Sequence, residues 1–579
     1  MTRTQRFSAA LLGLALLPAG PATAQEATKA APAPPADPRA AARAAQLRAS
    51  YGPVDPAIEK IKKEGMERSQ VMATLSHLTD VIGPRLTASP ALKKANEWTR
   101  DQMASNGMVN AHLESWGPFG RGWTLKRFSA QVVSPQCIPL IAFPKAWSPG
   151  TSGPLTAEVV HFDPKTLADL DKYKGKLKDR IVLMGPTREV KAHFEPEGTR
   201  KTEKELLELA DSPEPPTRGG GRGGMGRGGA GNNMELLRKR AELLAAEPPA
   251  LTIDSSYAGD GGTLFVAQAS VPSVTPFGAP GQPRVSAWDK NAPKFPPQVV
   301  VANEHFNRLA RMIAQGETLS MTVDLEVEFS DADGGNAFNT VAEIPGTDKA
   351  NEVVMMGGHM DSWHAGTGAT DNGAGVSVAI EAARIIKALD LKPRRTIRVA
   401  LWSGEEQGLF GSRAYVKEHF GTSEVDPAEA AYAGIFGDRP APKLVTKPEY
   451  ENLSAYFNLD NGTGKVRGIY MEGNEAVRPI FRKWFGPFRE LGAGTLTPQR
   501  TGGTDHMSFD AINLPGFQFI QDEVEYDTRT HHSNQDVFDR IQAEDLKQAA
   551  TVMATFVYNA AMMDEKMPRK PMTAAPAGR

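Results

Sequence analysis

Beyond Asn339 the chain alternates short apolar runs with amphipathic stretches, and this alternation restricts the possible folds more than any other feature. The apolar runs predict strands at 353–357, 396–402, 453–459 and 517–520, and the amphipathic stretches predict helices at 372–389, 406–417 and 543–561. Strands that alternate with helices favour a sheet with helices packed on both faces. We therefore expect an α/β fold with a mixed, mostly parallel sheet sandwiched by helices.

Acidic and histidine residues follow these strands at their carboxyl ends, where sheets of this kind carry their chemistry. They occur in GGHMDSW, GATDNGAG, WSGEEQG, NLDNG and THHSNQD, as His359, Asp361, Asp371, Glu405, Glu406, Asp460, His531, His532 and Asp536. Because these strand ends meet at one edge of the sheet, we expect the side chains to converge. The alternatives are a hydrogen-bonded structural role for a single histidine, and a solvated helix N-terminus for the glutamate pair.

Histidine and carboxylate side chains together suit a divalent metal, above all zinc, although cobalt or manganese would also fit this ligand set. The single cysteine, Cys137, excludes an intrachain disulfide and a cysteine-ligated zinc cluster. Two metals about 3.5–4 Å apart can activate a shared water. A carboxylate that is not a ligand must then take the proton from that water. Adjacent Glu405 and Glu406 suit this division, since consecutive residues leaving a strand point in different directions.

The length of 579 residues predicts two domains with additional segments. Apolar periodicity predicts helices from Asp55 onward and at 90–105, followed by a strand at 112–115. Short apolar runs divided by Pro and Gly, at 157–161, 180–184, 262–267 and 298–302, indicate a separate β-rich module. The expected divisions of the main domain and this module are 49–127, 128–326 and 327–565, with a tail at 566–579.

The first 24 residues have the pattern of a secretory signal peptide, with a short basic region, an apolar run at 7–17 and the segment ATA before Gln25. The apolar run is shorter than the roughly 20 residues that a membrane span needs. Residues 25–48 form an Ala/Pro-rich tether. We expect export through a cleaved signal peptide to the periplasm or the medium, without a membrane span; a retained signal anchor is the alternative.

The overall charge does not indicate nucleic-acid binding, because 66 Lys and Arg residues face 68 Asp and Glu residues. Residues 218–233 contain nine glycines and three arginines. Segments of this type bind single-stranded nucleic acid when aromatic residues stack on the bases, but this one has no aromatic residue. We interpret it as a flexible surface loop, with no nucleic-acid partner.

Seven segments together resemble peptidase family M28, the zinc exopeptidases, in their order and spacing. They are HLTDVIGPRLTAS (77–89), FNTVAEIPG (338–346), GGHMDSW (357–363), GATDNGAG (368–375), LKPRRTIRVALWSGEEQG (391–408), GGTDHMSF (502–509) and HHSNQD (531–536). The resemblance implies a zinc-peptidase (phosphorylase/hydrolase-like) fold, with two zinc ions per chain and a possible homodimer. It also implies that residues 128–326 form an inserted protease-associated (PA) domain.

Carried over residue by residue, the resemblance makes Asp371 the ligand that bridges two zinc ions. His359 and Asp460 would hold one ion, and Glu406 and His532 the other. Glu405 would be the general base, and the carboxylate of Asp361 would fix the tautomer of His359. His532 is preferred to its neighbour because it is followed by three residues and an acid, as in the family.

Two further features come from relatives in the family. A cis peptide is expected after Asp371, and His531 is a candidate for holding the developing oxyanion. Outside the ligand positions, His364 and His506 are expected to be structural or wall residues, and Asp505 to orient a loop by hydrogen bonding. Cys137 is expected to be a small buried hydrophobic residue.

The sequence therefore predicts an exported di-zinc exopeptidase, of aminopeptidase or dipeptidase type, that hydrolyses short peptides. One alternative is an acyltransferase similar to glutaminyl cyclase, which shares the fold but uses a single zinc. The other is a receptor-like scaffold without catalysis. The large inserted module favours the peptidase over the cyclase, and the complete ligand set argues against a scaffold.

Overall fold

The computed structural model describes residues 54–215, 230–273, 285–424 and 443–571. The strands are β1 (Val109–Trp116), β2 (Gly122–Ser134), β3 (Ile138–Pro139), β4 (Ala142–Pro144), β5 (Leu155–Phe162), β6 (Ile181–Met184), β7 (Leu251–Ser255), β8 (Gln298–Val301), β9 (Ser320–Ser330), β10 (Ala337–Ile344), β11 (Lys349–His359), β12 (Arg395–Trp402), β13 (Gly421–Glu424), β14 (Lys443–Thr446), β15 (Leu453–Asn458), β16 (Val466–Tyr470), β17 (Thr495–Thr497) and β18 (Gly516–Gln521). The α-helices are α1 (Pro56–Glu67), α2 (Val71–Ser76), α3 (Pro90–Ser105), α4 (Glu203–Ala210), α5 (Ala230–Ala246), α6 (Asn303–Ala314), α7 (Ala374–Ala388), α8 (Phe410–His419), α9 (Arg478–Phe485), α10 (His506–Asp510) and α11 (Ala543–Met562).

The first sheet has eight strands in the order β1-β10-β12-β11-β15-β18-β16-β17. Its four central strands, β12, β11, β15 and β18, are parallel, and antiparallel partners flank them on both sides. The predicted α/β fold with a mixed sheet is therefore confirmed. The carboxyl ends of the parallel strands meet at one edge, as the site requires.

Helices cover both faces of this sheet because alternate residues of its central strands are apolar on each side. Val354 and Met356 of β11 pack into the cluster that contains residues of α1, α2, α7 and α11. Val353 and Met355 face the opposite way, into a second cluster that contains Trp402 and residues of α8 and α10. Both faces of β11 are thus buried, which fixes the direction in which its last residue points.

A second sheet of eight strands, in the order β3-β2-β9-β5-β6-β7-β8-β4, draws on residues 122–330. Helix α6 packs on it through Phe306 and Leu309, which join a core that includes Ile181 and Val299. These residues overlap the module predicted at 128–326. The domain divisions and the protease-associated assignment stay predictions.

Two predicted elements are wrong. The helix expected from Glu406 begins only at Phe410, because residues 405–409 form a turn in which Leu409 has φ 60°. The strand expected at 262–267 is absent from the described residues; this segment makes an isolated bridge to Ser533 instead of joining the sheet. Both segments lie beside the candidate site, where contacts with other parts of the chain override local preference.

Several expectations concern residues that are not described. The predicted signal peptide (1–24), the tether (25–48), residues 218–229 of the Gly/Arg-rich segment and the end of the tail (572–579) lie outside the described ranges. Residues 230–233, expected in the loop, already belong to helix α5. No helix in the described part of the chain is long and apolar enough to cross a membrane.

Candidate metal centre

His359 is the last residue of β11, and its ring is buried at the carboxyl edge of the first sheet. Its Nδ1 lies 2.9 Å from the backbone carbonyl oxygen of Asp361, which can only accept a hydrogen bond. Nδ1 therefore carries a proton, which leaves Nε2 as the ring atom that a metal would bind. Nε2 lies 3.1 Å from Asp371 Oδ1 and 3.2 Å from Asp460 Oδ1, so three ligand atoms converge.

The carboxylate of Asp361 has a different contact from the one expected. Its Oδ1 lies 3.7 Å from His359 Nδ1, too far for the predicted hydrogen bond. Instead it accepts hydrogen bonds from the backbone N–H groups of Glu405 and Glu406, at 3.2 and 3.3 Å, and from the Thr87 hydroxyl at 3.0 Å. The Asp361 carboxylate thus holds the turn that carries the two glutamates, while the backbone carbonyl of Asp361 fixes the tautomer of His359.

Asp371 lies in the turn Ala369–Gly373 ahead of helix α7, and the turn is buried throughout. The Asp371–Asn372 peptide is cis, as the resemblance predicts. The Asn372 side chain donates to the Leu459 carbonyl and accepts from the Gly375 amide, which fixes the far side of the turn. The near side is held by the carboxylate of Asp536, which accepts a hydrogen bond of 2.5 Å from the Thr370 amide.

His532 completes the other side of the site from a loop near the C-terminus. Its Nε2 lies 3.0 Å from Glu406 Oε2 and 3.2 Å from Asp371 Oδ2. The neighbouring His531 lies farther away, with Nε2 3.7 Å from Asp371 Oδ2, and its ring stacks on Tyr526. Of the two adjacent histidines, His532 therefore has the geometry that suits a ligand shared with Glu406.

Glu405 lies at the start of the turn after β12, and its side chain is buried without contacting His532. Its Oε2 lies 4.0 Å from His359 Nε2. Burial raises the pKa of its carboxyl well above the usual value; His359 opposes this, and the Asp460 carboxylate adds to it. The turn requires Gly404, because its φ is +72° and a Cβ there would lie 2.7 Å from the Trp116 ring.

The donor set fits a pair of divalent cations. Two groups of potential ligands share Asp371: one is completed by His359 and Asp460, and the other by the two adjacent histidines. Burial, with the Asp371 carboxylate, raises the pKa of Glu406 to about 8. Glu406 Oε1 is buried and receives no hydrogen bond from the described residues. Crowded, buried carboxylates with unused oxygens gain most from a cation, which relieves their repulsion and satisfies their lone pairs.

Arg85 is a residue of this region whose role sequence reasoning missed. Its side chain is fully buried and donates hydrogen bonds to five backbone carbonyl groups, those of Leu78, Gly83, Met360, Thr367 and Gly368. It thereby joins the loop after β11 to the turn that carries Asp371. The resemblance includes this arginine within HLTDVIGPRLTAS, but arginine is rarely buried, so no local signal predicts its position.

Two further residues concern the second sheet: Tyr257, which sequence reasoning missed, and His364, which it expected to be a structural or wall residue. Tyr257, which follows β7, is half exposed; burial, Glu406 and Asp371 raise the pKa of its phenol. His364 packs edge-on against Phe143, and its Nε2 lies 2.7 Å from the Pro144 carbonyl oxygen. His364 is therefore structural, as expected, and it anchors the loop after β11 to the second sheet.

Three remaining expectations have mixed outcomes. His506 is fully buried, 3.4 Å from Glu472, as expected for a structural residue. Asp505 is buried, and burial raises the pKa of its carboxyl to about 7, although Ser412 lies close enough to lower this pKa by a hydrogen bond; its role in orienting a loop stays a prediction. The expectation for Cys137 is wrong, because this residue is exposed in the short connection between β2 and β3.

Residues 339–557, which include every candidate ligand, match peptidase family M28. With this fold and site, residues 339–557 form a peptidase M28 domain, and the chain is a hydrolase of the peptidase class. Over most of its length it is similar to carboxypeptidase Q from Mus musculus, at 25% identity over 527 residues, which cover 90% of this chain and 92% of the relative.

Solved structures agree with the fold. A peptidase M28 precursor from Shewanella amazonensis SB2B has a TM-score of 0.58 at 24% identity and covers 91% of this chain and 99% of its own. BSAP, a zinc aminopeptidase from Bacillus subtilis, has a TM-score of 0.50 at 17% identity and covers 86% of this chain and 96% of its own. The similarity therefore extends across both sheets.

Proposed function

We propose that this chain is an exported di-zinc exopeptidase of the aminopeptidase or dipeptidase type, which hydrolyses the peptide bonds of short peptides. The observation that carries the proposal is the arrangement of two ligand groups around one shared carboxylate, Asp371. The Bacillus subtilis structure is that of a zinc aminopeptidase, which supports zinc as the metal. The signal-peptide pattern of residues 1–24 supports export.

In this proposal Asp371 would be the ligand shared by two metals. His359 and Asp460 would hold one, and Glu406 and His532 would hold the other. When bound, two zinc ions polarise the scissile carbonyl and lower the pKa of a water towards about 7. Histidine and carboxylate ligands of this kind are the usual ones for catalytic zinc.

Glu405 acts as the general base in the proposed reaction. It takes a proton from the attacking water, whose oxygen bonds to the carbonyl carbon, and later delivers that proton to the leaving amine as the peptide C–N bond breaks, which returns the base to its carboxylate form. Its buried carboxyl, with a raised pKa, is a stronger proton acceptor than an exposed glutamate, as a general base requires. Asp361 keeps Glu405 in place through the backbone amide at 3.2 Å.

His531 is proposed to stabilise the oxyanion that forms on the substrate carbonyl. Its side chain is 38% exposed, so a substrate can reach it, and stacking on Tyr526 holds the ring. Tyr257 is also proposed to contact the bound peptide, because its ring is about half exposed and its pKa is raised by burial and by Glu406 and Asp371.

Metal content and one substitution test the proposal together. We expect mass spectrometry of the purified, zinc-equilibrated and desalted protein to give two zinc ions per chain. Glu405→Gln should keep both ions and lower turnover of a dipeptide by about 10²- to 10⁴-fold, because it removes only the proton acceptor. A Glu405→Gln enzyme with the wild-type rate would contradict the assignment of the base.

The same measurement separates the alternatives. One zinc per chain would favour the acyltransferase similar to glutaminyl cyclase, and none would favour a scaffold without catalysis. If two ions bind, free dipeptides compared with N-blocked and C-blocked dipeptides identify the terminus that the enzyme recognises. Hydrolysis of only doubly free dipeptides would identify a dipeptidase.

A further inference from the structure

We infer that a segment of the second-sheet region, residues 262–266, positions the metal ligand His532, and that Asn534 is the positioning residue that joins the two. We call residues 262–266 the strap. The inference rests on the proposed function in one respect, the role of His532 as a ligand. It assigns a role in the metal centre to a part of the chain that lies outside residues 339–557.

Four hydrogen bonds join the strap to the loop at 532–534. The Val266 amide donates to the His532 carbonyl oxygen at 3.0 Å, and the Asn534 amide donates to the Leu264 carbonyl oxygen at 2.9 Å. The Asn534 side chain adds two more, since its Oδ1 accepts from the Leu264 amide at 2.8 Å and its Nδ2 donates to the Gly262 carbonyl oxygen at 3.2 Å. Asn534 thus pairs with the strap through three of its own polar groups.

The strap is itself fixed to the second sheet. The side chains of Leu264 and Val266 are buried and pack in one cluster with Val300 of β8 and the following Ala302. A segment whose side chains are packed in a core moves little, because any displacement opens a cavity. The hydrogen bonds from the strap therefore transfer the rigidity of the second sheet to the loop.

His532 needs such support more than the other ligands do. Its φ is +63°, a left-handed conformation that costs a residue with a Cβ about 1–2 kcal/mol and persists only where the surroundings impose it. It lies in no helix or strand. On the first-sheet side the loop is tied by Asp536 to the turn at Thr370, and on the other side by Asn534 to the strap. With both ties the backbone of His532 is clamped between the two sheets.

The test uses the full-length protein, with Asn534→Ala as the main variant and Gln535→Ala as a matched control. Gln535 is the next residue of the loop, but its side chain accepts from Arg540 at 2.9 Å and makes no hydrogen bond to the strap. Asn534→Asp keeps the acceptor for the Leu264 amide and loses the donor to Gly262, so its effects should be smaller than those of alanine. His532→Ala shows which step of a zinc titration belongs to its site.

Two readouts are independent of turnover. In metal-free protein, hydrogen exchange of the Leu264 and Val266 amides should be about tenfold faster in Asn534→Ala than in wild type, because a buried hydrogen bond is lost. In zinc titration against a chelator, Asn534→Ala should weaken only the step that His532→Ala abolishes, by about 10- to 100-fold. Gln535→Ala should behave as wild type in both, and all variants should keep the wild-type melting temperature within a few degrees.

Unchanged exchange and unchanged zinc affinity in Asn534→Ala would overturn the inference. Equal weakening of both zinc steps, or an equal effect of Gln535→Ala, would also overturn it, because the loop would then be generally destabilised and not positioned by the strap. If the wild type binds no zinc, the proposed function fails. The exchange rates then decide on their own whether Asn534 holds the loop at His532.

Discussion

The two halves of the candidate centre are built in different ways. His359 and Asp460 follow the parallel strands β11 and β15 of the first sheet, and both are buried, with 1% and 7% of their surface exposed. His532 comes from an irregular loop, and 27% of its side chain is exposed. The strands of the first sheet therefore position both ligands of the first half. In the second half, the position of His532 depends on contacts between distant parts of the chain. Substitutions in those contacts can therefore shift this ligand more easily than the ligands of the first half.

The largest effect is expected from Asp371→Ala, which removes the group that both halves share. Without the shared carboxylate each proposed metal loses a ligand. We expect a loss of several kcal/mol of transition-state stabilisation, which lowers kcat/KM by about 10³-fold or more. Mass spectrometry should find fewer than one zinc per chain. Asp348→Ala, which removes an exposed acid paired with Arg394, is the control and should keep the metals and the activity. Full metal occupancy in Asp371→Ala would contradict the role of Asp371 as a ligand that both halves share.

A second prediction compares the halves directly, through the stability of metal-free His359→Ala and His532→Ala proteins. His359→Ala leaves buried carboxylates without their partner and should lower the free energy of unfolding by about 3–5 kcal/mol. His532→Ala also leaves buried carboxylates, those of Glu406 and Asp371, without a partner, but its ring is partly exposed, so the loss should be smaller, about 2 kcal/mol. Urea unfolding in the presence of a chelator measures both. Equal losses would show that the two halves contribute alike to the fold, against the comparison drawn above.

The first half is also the part that the sequence predicts best. Strands β11, β12 and β15 are apolar on both faces, and a polar residue at the end of such a strand has only the carboxyl edge to occupy. His359, Glu405 and Asp460 therefore come together in the structure where the pattern placed them. The ligand roles of Asp371 and His532 come from the family resemblance and stay predictions.

The sequence does not predict contacts between segments that lie far apart along the chain. Asp361 was expected to bind the ring of His359 with its carboxylate, but its backbone carbonyl does so. Nothing local distinguishes these two oxygens. Arg85 and Asn534 act on backbone carbonyl and amide groups, which carry no residue-specific pattern at all. The segment at 262–267 has the apolar content of a strand, yet its hydrogen bonds go to the loop at 532–534 and not to the sheet.

The smallest effect concerns His364, which joins the loop after β11, in the first half, to the second sheet. Burial lowers the pKa of its imidazole to about 4, against an ordinary value of 6.5. Between these values the unfolded chain binds the proton more tightly than the folded protein, so stability is lost as the pH falls from 6.5 towards 4. For this single group the loss at pH 5 is about 2 kcal/mol.

His364→Gln tests this contact, because glutamine can still donate to the Pro144 carbonyl oxygen but does not titrate. Urea unfolding of the two metal-free proteins at pH 7.5 and pH 5 should show that wild type loses about 2 kcal/mol more than the variant over this range. The other titrating groups are common to both proteins and cancel in the difference. Parallel losses would mean that the imidazole takes up a proton while docked on the second sheet. The contact between this loop and the second sheet would then not depend on the protonation of His364.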